Sequence, residues 1–401
     1  MLEISTDIVV VGGGPAGLSA AYSAAKVGAK VIVLEKDEAI AHSVRTSGVS
    51  WIDSMQALGI PDSLYNPVSS FSFVSPNNEV RISGSKPLSC VLDVRSTYQH
   101  LASLAASAGA EIIVRGNVSG VITKDGGRIA GVKASTPRGD LSISSTLAID
   151  ASGFGSSIAR RAGLAREWRR FGVGAEYECY CSDIDSTTWT LLVGARYSPA
   201  GYAWIFPLSA NRVRIGVGVG RPEASADPVA ILHEIISKRP GPLAGIRTIQ
   251  PLEFHYGSIP NEGVRQQSVW DGLMVVGDSA GQANPLVLEG IRYAIEFGRL
   301  AGDVGARSLG QGSTKESLLE YDSAWRKKAE SKIKSALKVQ ERWLGLSDGD
   351  WDKEIEILHD MSPDEFIDFI KAEFTASKMM KLAIKHPKLA ARQLFGMVLK
   401  N

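Results

Sequence analysis

Cysteine, histidine and an excess of either charge are scarce in this chain of 401 residues. The three cysteines, Cys90, Cys179 and Cys181, form no CxxC pair and no zinc-type spacing with the six histidines. We therefore predict no metal site, buried roles for Cys179 and Cys181, and a reducing compartment. Lysine and arginine total 44 against 43 acidic residues, a net charge of +1. A nucleic-acid partner is therefore not expected.

Long apolar runs are also lacking. Near the N-terminus, Glu3 and Asp7 occupy positions where a secretory signal would carry positive charge. The apolar stretch that follows is interrupted by GGGP at residues 12–15, which excludes both a signal peptide and a membrane span there. The default location is therefore the cytoplasm.

The N-terminal segment has the pattern of a βαβ unit. Residues 7–11 form a β-branched run that is typical of a parallel strand buried on both faces. An alanine-rich segment at 18–27 predicts a helix, and residues 30–35 predict a second strand. A strand, a helix and a strand in about thirty residues is the arrangement found in dinucleotide-binding domains.

The turn between the first strand and the helix has the sequence GGGPAG. Gly12 permits a tight turn, Gly14 lets the backbone approach a pyrophosphate, and Gly17 lets the helix pack on the strand. Pro15 and Ala16 open the helix, whose free N–H groups and positive dipole end would face the phosphates. A plain structural turn is the alternative, but the flanking elements favour a dinucleotide site.

An acidic residue ends the second strand. Glu35 lies 18 residues beyond Gly17 and can accept hydrogen bonds from ribose hydroxyls, with Lys36 beside it. The charge of Glu35 would repel a 2′-phosphate, so the site suits FAD or NAD rather than NADP.

A second motif favours FAD over NAD. Residues 273–281, LMVVGDSAG, predict a buried strand that leads into a turn. Asp278 in this turn can bind a ribityl hydroxyl. The amides of Gly290 and Ile291 open a helix and can face the flavin edge where negative charge develops on reduction.

These segments together resemble a family of FAD-dependent enzymes that includes p-hydroxybenzoate-type hydroxylases, lycopene cyclases and geranylgeranyl reductases. The resemblance covers about residues 5–305 and includes DVR at 93–95 and AIDASGFGS at 148–156. It implies an α/β fold with a Rossmann-type FAD-binding domain of the glutathione reductase and p-hydroxybenzoate hydroxylase kind. It also implies further flavin-binding positions, which are Thr46, Ser47, Gly48, Arg95 and Val118.

A YxWxFP motif at residues 202–207 is similar to one in the geranylgeranyl reductase branch, which includes archaeal enzymes for digeranylgeranylglycerophospholipids. On a strand, Tyr202, Trp204 and Phe206 lie on one face because side chains alternate. The three rings could line an apolar cavity for a polyprenyl chain, although an ordinary aromatic core face has the same periodicity. A cysteine-containing loop of the reductases is replaced here by VRTSGVS at 44–50, which has no thiol.

Three side chains are candidates for the catalytic site. Tyr202 and His255 are candidate proton donors, and Trp204 lies beside Tyr202 in the motif. A structural role is the commoner one for a lone histidine. The segment GVGVG at 216–220 alternates like a packed strand, so we predict no second nucleotide domain. NAD(P)H would bind transiently, or another donor such as a ferredoxin-like protein would reduce the flavin.

The resemblance implies reduction of isolated C=C bonds in a polyprenyl lipid, as in the biosynthesis of archaeal membrane lipids, with FAD as the hydride carrier. Two alternatives stay open. The same fold serves FAD-dependent monooxygenases of the p-hydroxybenzoate hydroxylase type. An electron-transfer flavoprotein would bind FAD without turning over any lipid.

The chain divides into three expected units. Strand patterns and motifs predict a discontinuous FAD-binding domain at residues 1–62, 91–165 and 266–312. An antiparallel substrate domain is expected at 63–90 and 166–265. A helical C-terminal domain is expected at 313–401. Within the last unit, residues 384–400 mix basic and apolar side chains. This segment either contacts the inner face of an anionic membrane or packs on its own domain.

Overall fold

The computed structural model describes residues 1–373 and 376–387. The basic and apolar segment at 384–400 therefore lies outside the described residues from 388 onward. Eighteen strands are described, and they are β1 (Leu2–Val11), β2 (Val31–Glu35), β3 (Val49–Trp51), β4 (Tyr65–Val68), β5 (Ser70–Val74), β6 (Glu79–Ser83), β7 (Ser89–Leu92), β8 (Glu111–Val114), β9 (Asn117–Thr123), β10 (Ile129–Thr136), β11 (Gly139–Asp150), β12 (Phe171–Cys181), β13 (Thr188–Val193), β14 (Gly201–Ser209), β15 (Arg212–Arg221), β16 (Ile249–Pro260), β17 (Val269–Trp270) and β18 (Leu273–Val275).

The α-helices of the described residues are α1 (Pro15–Lys26), α2 (Ile52–Ala57), α3 (Val94–Ser107), α4 (Ser157–Arg161), α5 (Pro228–Lys238), α6 (Ile291–Ser308), α7 (Lys315–Trp325), α8 (Ser331–Trp343), α9 (Asp348–Glu356), α10 (Pro363–Ile370) and α11 (Ala376–Lys385). None of these helices is long and apolar enough to cross a membrane.

An eight-stranded sheet contains the predicted βαβ unit. Its strand order is β17, β18, β11, β1, β2, β8, and β9 and β10 extend it from β11. The pairs of β1 with β2 and β11, of β2 with β8, and of β11 with β18 are parallel. Ile8, Val9 and Val10 of β1 are fully buried, as expected for a parallel strand covered on both faces.

Helices α1 and α6 pack closely on this sheet. A Cβ at Gly298 would lie 2.3 Å from the carbonyl oxygen of Ala16, and one at Gly302 would lie 2.2 Å from that of Ala20. The two glycines of α6 therefore allow its backbone to contact α1 directly. The first turns of both helices reach the same cavity, to which Ala16 and Ile291 both contribute.

A seven-stranded sheet has the order β16, β12, β15, β14, β13, β5, β6. Its neighbours are antiparallel except for β5 and β13, which run parallel. One face is covered by α5, a helix that the sequence analysis did not predict, and this face buries Cys179 and Cys181 completely. All three cysteines are buried free thiols, as predicted for Cys179 and Cys181.

The C-terminal helices cover part of the opposite face of this sheet. Phe366 of α10 packs on Phe71 and Phe73 of β5 and on Trp189 of β13, with ring centroids 5.1, 5.2 and 5.9 Å apart. A small sheet of β3, β7 and β4 lies beside this cluster.

The expected α/β fold is confirmed, with its Rossmann-type unit, its largely antiparallel sheet and its C-terminal helices. The strands of the seven-stranded sheet all fall within residues 63–90 and 166–265. The domain boundaries themselves stay a prediction.

Candidate active site

A cavity of about 490 Å³ is bounded by the two large sheets and the C-terminal helices. Residues of the glycine-containing motifs line one end, namely Gly14, Pro15, Ala16, Gly277, Asp278, Gly290 and Ile291. Apolar residues from α8 to α10 line the other end, including Trp343, Leu344, Trp351, Leu358, Phe366 and Phe369. One cavity therefore joins the predicted flavin site to an apolar compartment.

The first turn of α1 is open to this cavity. A Cβ placed on Gly14 would have no protein atom within 4 Å. Gly12 has φ +112°, and a Cβ there would lie 2.3 Å from the carbonyl oxygen of Ala151. A Cβ on Gly17 would lie 2.0 Å from the carbonyl oxygen of Gly12, so helix and strand meet closely at this residue. The tight turn at Gly12 and the close packing at Gly17 agree with this geometry, and the approach of Gly14 to a pyrophosphate stays a prediction.

Glu35 ends β2 beside the same turn and is buried. Its two carboxylate oxygens accept hydrogen bonds from the backbone N–H groups of Gly13 and Asp37, at 2.7 and 2.8 Å. These bonds hold the carboxylate next to the glycine turn. Lys36 is exposed and borders a second, shallower pocket at the end of β2.

Asp278 lies where the second motif meets the N-terminus of α6. A Cβ on Gly290 would be 3.3 Å from Oδ1 of Asp278. Burial raises the pKa of this carboxyl from 3.8 to about 6. Gly290 is the N-cap of α6 and provides no side-chain hydrogen bond to the first turn. The N–H of Arg292 already donates to Oε1 of Glu289 at 3.3 Å, so a ligand with negative charge would bind at the first helical N–H, that of Ile291.

The loop after β2 forms a further side of the cavity through Thr46 and Ser47. The guanidinium of Arg214 donates a hydrogen bond of 2.8 Å to the carbonyl oxygen of Ser47. Gly48 has φ +80°, and a Cβ there would lie 2.8 Å from Nη1 of Arg214. Arg214 thus fixes the loop, and this buried arginine was not among the predicted residues.

Arg95 and Val118 do not line the cavity. Arg95 donates a hydrogen bond of 2.8 Å to the carbonyl oxygen of Ala41 and forms an ion pair with Glu253. Val118 lies on β9 with 5% of its surface exposed, and its side chain packs in the core.

The three rings of the YxWxFP motif share one face of β14, as predicted, but only two reach the cavity. Tyr202 and Trp204 line it, whereas Phe206 packs behind Trp204 against Trp189 in the core. The Tyr202 hydroxyl donates a hydrogen bond of 2.7 Å to the carbonyl oxygen of Val287. Burial raises the pKa of this hydroxyl, so releasing its proton is harder than for an exposed tyrosine.

Buried polar side chains lie beside Trp204. Its indole N–H donates to Oε2 of Glu176 at 2.6 Å, and Oε1 of Glu176 is 2.8 Å from Nδ1 of His255. Glu176 and His255 both line the cavity. The sequence analysis named His255 but missed Glu176. Two carboxylates at alternate positions of an otherwise apolar strand, Glu176 and Glu178, were the signal that could have found it.

Together these features fit a flavin dinucleotide. The open space at Gly14 suits a pyrophosphate, and the start of α6 at Ile291, beside Asp278, suits the flavin end. Among residues 1–373 and 376–387, no group of three metal-ligating side chains is found.

The fold and this site define an FAD-dependent oxidoreductase. A profile described as FAD dependent oxidoreductase matches residues 7–195, and one described as geranylgeranyl reductase catalytic domain matches residues 171–257. FAD as the cofactor and the predicted family resemblance are thereby confirmed.

Curated relatives extend the match over most of the chain. It is 32% identical over 355 residues to digeranylgeranylglycerophospholipid reductase 2 of Methanothermobacter thermautotrophicus, covering 86% of this chain and 90% of that protein. It is also 32% identical over 387 residues to digeranylgeranylglycerophospholipid reductase 1 of Methanococcoides burtonii, covering 93% of each. The chain belongs to the digeranylgeranylglycerophospholipid reductase family.

Solved structures agree with this membership. A geranylgeranyl bacteriochlorophyll reductase-like protein of Thermoplasma acidophilum superposes with a TM-score of 0.86 at 25% identity, covering 98% of this chain and 100% of that one. A flavin-dependent brominase, at 19% identity and a TM-score of 0.71, shares the fold alone.

Proposed function

We propose that this protein reduces isolated C=C bonds in the geranylgeranyl chains of digeranylgeranylglycerophospholipids, a step in the biosynthesis of archaeal-type membrane lipids. The observation that carries the proposal is the single cavity that connects the flavin-binding motifs to an apolar compartment lined by C-terminal helices. A polar aromatic substrate would leave most of that apolar wall without a partner. A long hydrocarbon chain would cover it.

FAD would be held by the motifs at one end of the cavity. We assign the pyrophosphate to Gly12, Gly14, Pro15, Ala16 and Gly17, and a ribose to Glu35. We assign the flavin end to Thr46, Ser47, Gly48, Asp278, Gly290 and Ile291. Lys36, Arg95 and Val118 lie outside the cavity. Lys36 borders the second pocket, at the end of β2, where the adenosine half of FAD would be expected. When bound and reduced, FAD supplies the hydride.

The chain itself supplies position and a dry environment. An isolated alkene is weakly polarised, so a small error in placement costs a large factor in rate. Tyr202 and Trp204 line the cavity that joins the flavin motifs to the apolar compartment, and we propose that they hold the reacting part of the lipid. Phe206 acts through Trp204, since their rings stack 6.0 Å apart at 18°.

The test is an anaerobic incubation of the dithionite-reduced protein with a geranylgeranyl diether phospholipid, followed by mass spectrometry. We expect the lipid mass to increase in steps of two hydrogens. A gain of oxygen that occurs only in air would instead show a monooxygenase. An unchanged lipid with normal flavin redox chemistry would indicate an electron-transfer protein, and either result contradicts the proposal.

We further propose that an external donor reduces the flavin and that the protein meets its lipid at the inner membrane surface. Residues 216–220 lie within β15 as a packed strand, which supports the absence of a resident nicotinamide site there. Anaerobic mixing with NADH, NADPH or a reduced ferredoxin should identify the donor by bleaching of the flavin. Sedimentation with anionic vesicles should show membrane binding, and recovery of all protein in the supernatant would refute that part.

A further inference from the structure

Three titratable side chains form a line from the protein surface to the cavity. Glu253 and His255 lie on the same face of β16, and Glu176 lies opposite His255 on β12. The side chain of Glu253 is 38% exposed, whereas those of His255 and Glu176 are 2% and 4% exposed. Glu253 therefore contacts solvent, whereas His255 and Glu176 line the cavity.

One step of this line is at hydrogen-bond distance, and the other is longer than a hydrogen bond, so the exposed Glu253 side chain must move toward His255 before a proton passes. Nε2 of His255 is 3.6 Å from Oε1 of Glu253, and Nδ1 is 2.8 Å from Oε1 of Glu176. Nε2 is buried and has no hydrogen-bond partner. The other oxygen of Glu176 accepts the indole N–H of Trp204, which leaves Oε1 to the imidazole. An unpartnered polar atom in a buried position calls for an explanation, and a catalytic role is one of them.

The proposed reaction requires such a path because each C=C bond takes up a proton as well as a hydride. The apolar side chains of the cavity wall supply no proton, and a lipid chain that fills the cavity would exclude water from the alkene. The Tyr202 hydroxyl is a poor alternative because its proton is hydrogen-bonded to the carbonyl of Val287 and burial raises its pKa.

We propose that Glu253, His255 and Glu176 form a relay that carries protons from solvent to the alkene, an inference that rests on the proposed function. A proton from Glu253 binds Nε2 of His255 while the proton on Nδ1 passes to Oε1 of Glu176. Glu176 then protonates one alkene carbon: its O–H bond breaks, the electron pair stays on the carboxylate, and the π electrons form the new C–H bond. The other carbon receives the hydride of the reduced cofactor.

The charges around the relay are balanced by arginines. Arg95 pairs with Glu253, Arg214 lies 3.7 Å from Glu176 and 3.4 Å from Glu178, and Arg212 also pairs with Glu178. The three carboxylates, on Glu176, Glu178 and Glu253, thus face three guanidinium groups.

The test uses single turnovers of the reduced holoenzyme mixed anaerobically with a geranylgeranyl diether phospholipid. Glu176→Gln keeps the size of the side chain but removes its proton, so flavin reoxidation should slow about 100-fold or more, whereas FAD content and lipid affinity stay unchanged. Glu253→Gln should slow reoxidation less, and a small weak acid in the buffer should restore the rate. Glu234→Gln, an exposed carboxylate on α5 paired with Lys238, is the matched control and should react at the wild-type rate.

Nitrogen NMR of His255 provides a readout that needs no turnover. The relay predicts a neutral ring protonated on Nδ1 in the wild type, and a shift toward the Nε2-protonated form in Glu176→Gln. A wild-type ring protonated on Nε2, or an unaltered reoxidation rate in Glu176→Gln, would overturn the relay and leave the proposed function intact. A wild type that does not reduce the lipid would overturn the proposed function itself.

Discussion

Gly14 and Gly216 lack side chains for different physical reasons, although neither residue has a positive φ. A Cβ on Gly14 would enter open cavity, whereas a Cβ on Gly216 would lie 2.4 Å from Cε2 of Trp204. The first glycine therefore leaves room for a ligand and the second for a side chain of the protein. A substitution at each position tests a different part of the site.

Gly14→Val should fold normally and lose FAD. No protein atom lies within 4 Å of the added Cβ, and φ −83° suits any residue, so the flavin-free protein should keep its melting temperature. The side chain would occupy the space assigned to the pyrophosphate, and FAD affinity should fall about 100-fold or more, equivalent to about 3 kcal/mol. Fluorescence titration with FAD measures this. Gly245→Val, at an exposed position also without neighbours, is the control that should bind normally.

Asp278 should make the flavin-free protein less stable as the pH rises. Its pKa is about 6 in the fold against 3.8 ordinarily, so the folded chain binds this proton more tightly than the unfolded chain. Stability is therefore lost between about pH 4 and pH 6, by at most about 3 kcal/mol. Asp278→Asn has no carboxyl to titrate, so its unfolding free energy does not fall in this way. The stability of the variant relative to the wild type should therefore rise between about pH 4 and pH 6. Urea unfolding at pH 4 and pH 7 compares them, and a constant difference would contradict the assignment.

At the residue scale, the sequence predicted residues that line the cavity from contiguous motifs, but not the side chains behind them. Gly14, Asp278 and Gly290 belong to contiguous motifs whose local geometry determines their role. Glu176 and Arg214 lie on different strands and meet only through the antiparallel register of β12 and β15. No local pattern in one sequence gives that register, so their contacts with His255 and Ser47 could not be predicted.

At the element scale, glycines on β12 and β15 form a flat surface on which the Trp204 indole packs. Its ring atoms lie 3.5 Å from a Cβ built on Gly174 and 3.4 Å from one built on Gly218, in addition to the closer contact at Gly216. These glycines let the indole lie against the sheet and reach Glu176. The alternation of glycine and valine at 216–220 is therefore a packing feature, as the sequence predicted.

Gly216→Ala should displace the indole toward the cavity. The added methyl cannot coexist with the present ring position, so Trp204 must move or lose its hydrogen bond to Glu176. We expect a loss of about 1–3 kcal/mol in unfolding free energy, unchanged FAD content and slower turnover of long prenyl chains than of short ones. Gly120→Ala on β9, where the nearest atom would be 3.6 Å away, is the matched control. Equal turnover rates on long and short prenyl chains would contradict the role of these glycines in positioning the Trp204 indole.

Other elements show where sequence patterns succeed and fail. Ser362 and Glu365 form a reciprocal capping box at the start of α10, and the Ser-Pro-Asp-Glu sequence there is typical of a helix start. Helix α5 was missed because its segment lies inside a region of alternating strand patterns. Strand β1 begins at Leu2, five residues before the predicted start at Asp7, because its first residues pair with β11 from Leu141 onward. That pairing is not visible in the first sixty residues.

At the scale of the whole molecule, the cavity depends on three parts of the chain packing together. The C-terminal helices supply much of its apolar wall and also cover one face of the seven-stranded sheet. Phe366 is 1% exposed at this junction and contacts aromatic rings on two strands. Composition and periodicity predicted these helices, but not which sheet face they cover, because that depends on contacts distant in sequence.

Phe366→Ala should therefore destabilise the protein strongly. Removing a fully buried phenylalanine costs about 3–5 kcal/mol, and urea unfolding should show this loss. Phe254→Ala removes a ring that is 45% exposed on β16 and should cost less than about 1 kcal/mol. Similar losses in the two variants would mean that the C-terminal helices do not stabilise the sheet as the structure indicates.

The central claim is that the flavin of this protein passes its electrons to a prenyl double bond. The most direct measurement follows flavin absorbance after the reduced holoenzyme is mixed, without oxygen, with a geranylgeranyl diether phospholipid. We predict that the oxidised flavin spectrum returns, with one C=C bond lost for each flavin oxidised. A flavin that stays reduced until oxygen is admitted would contradict the account.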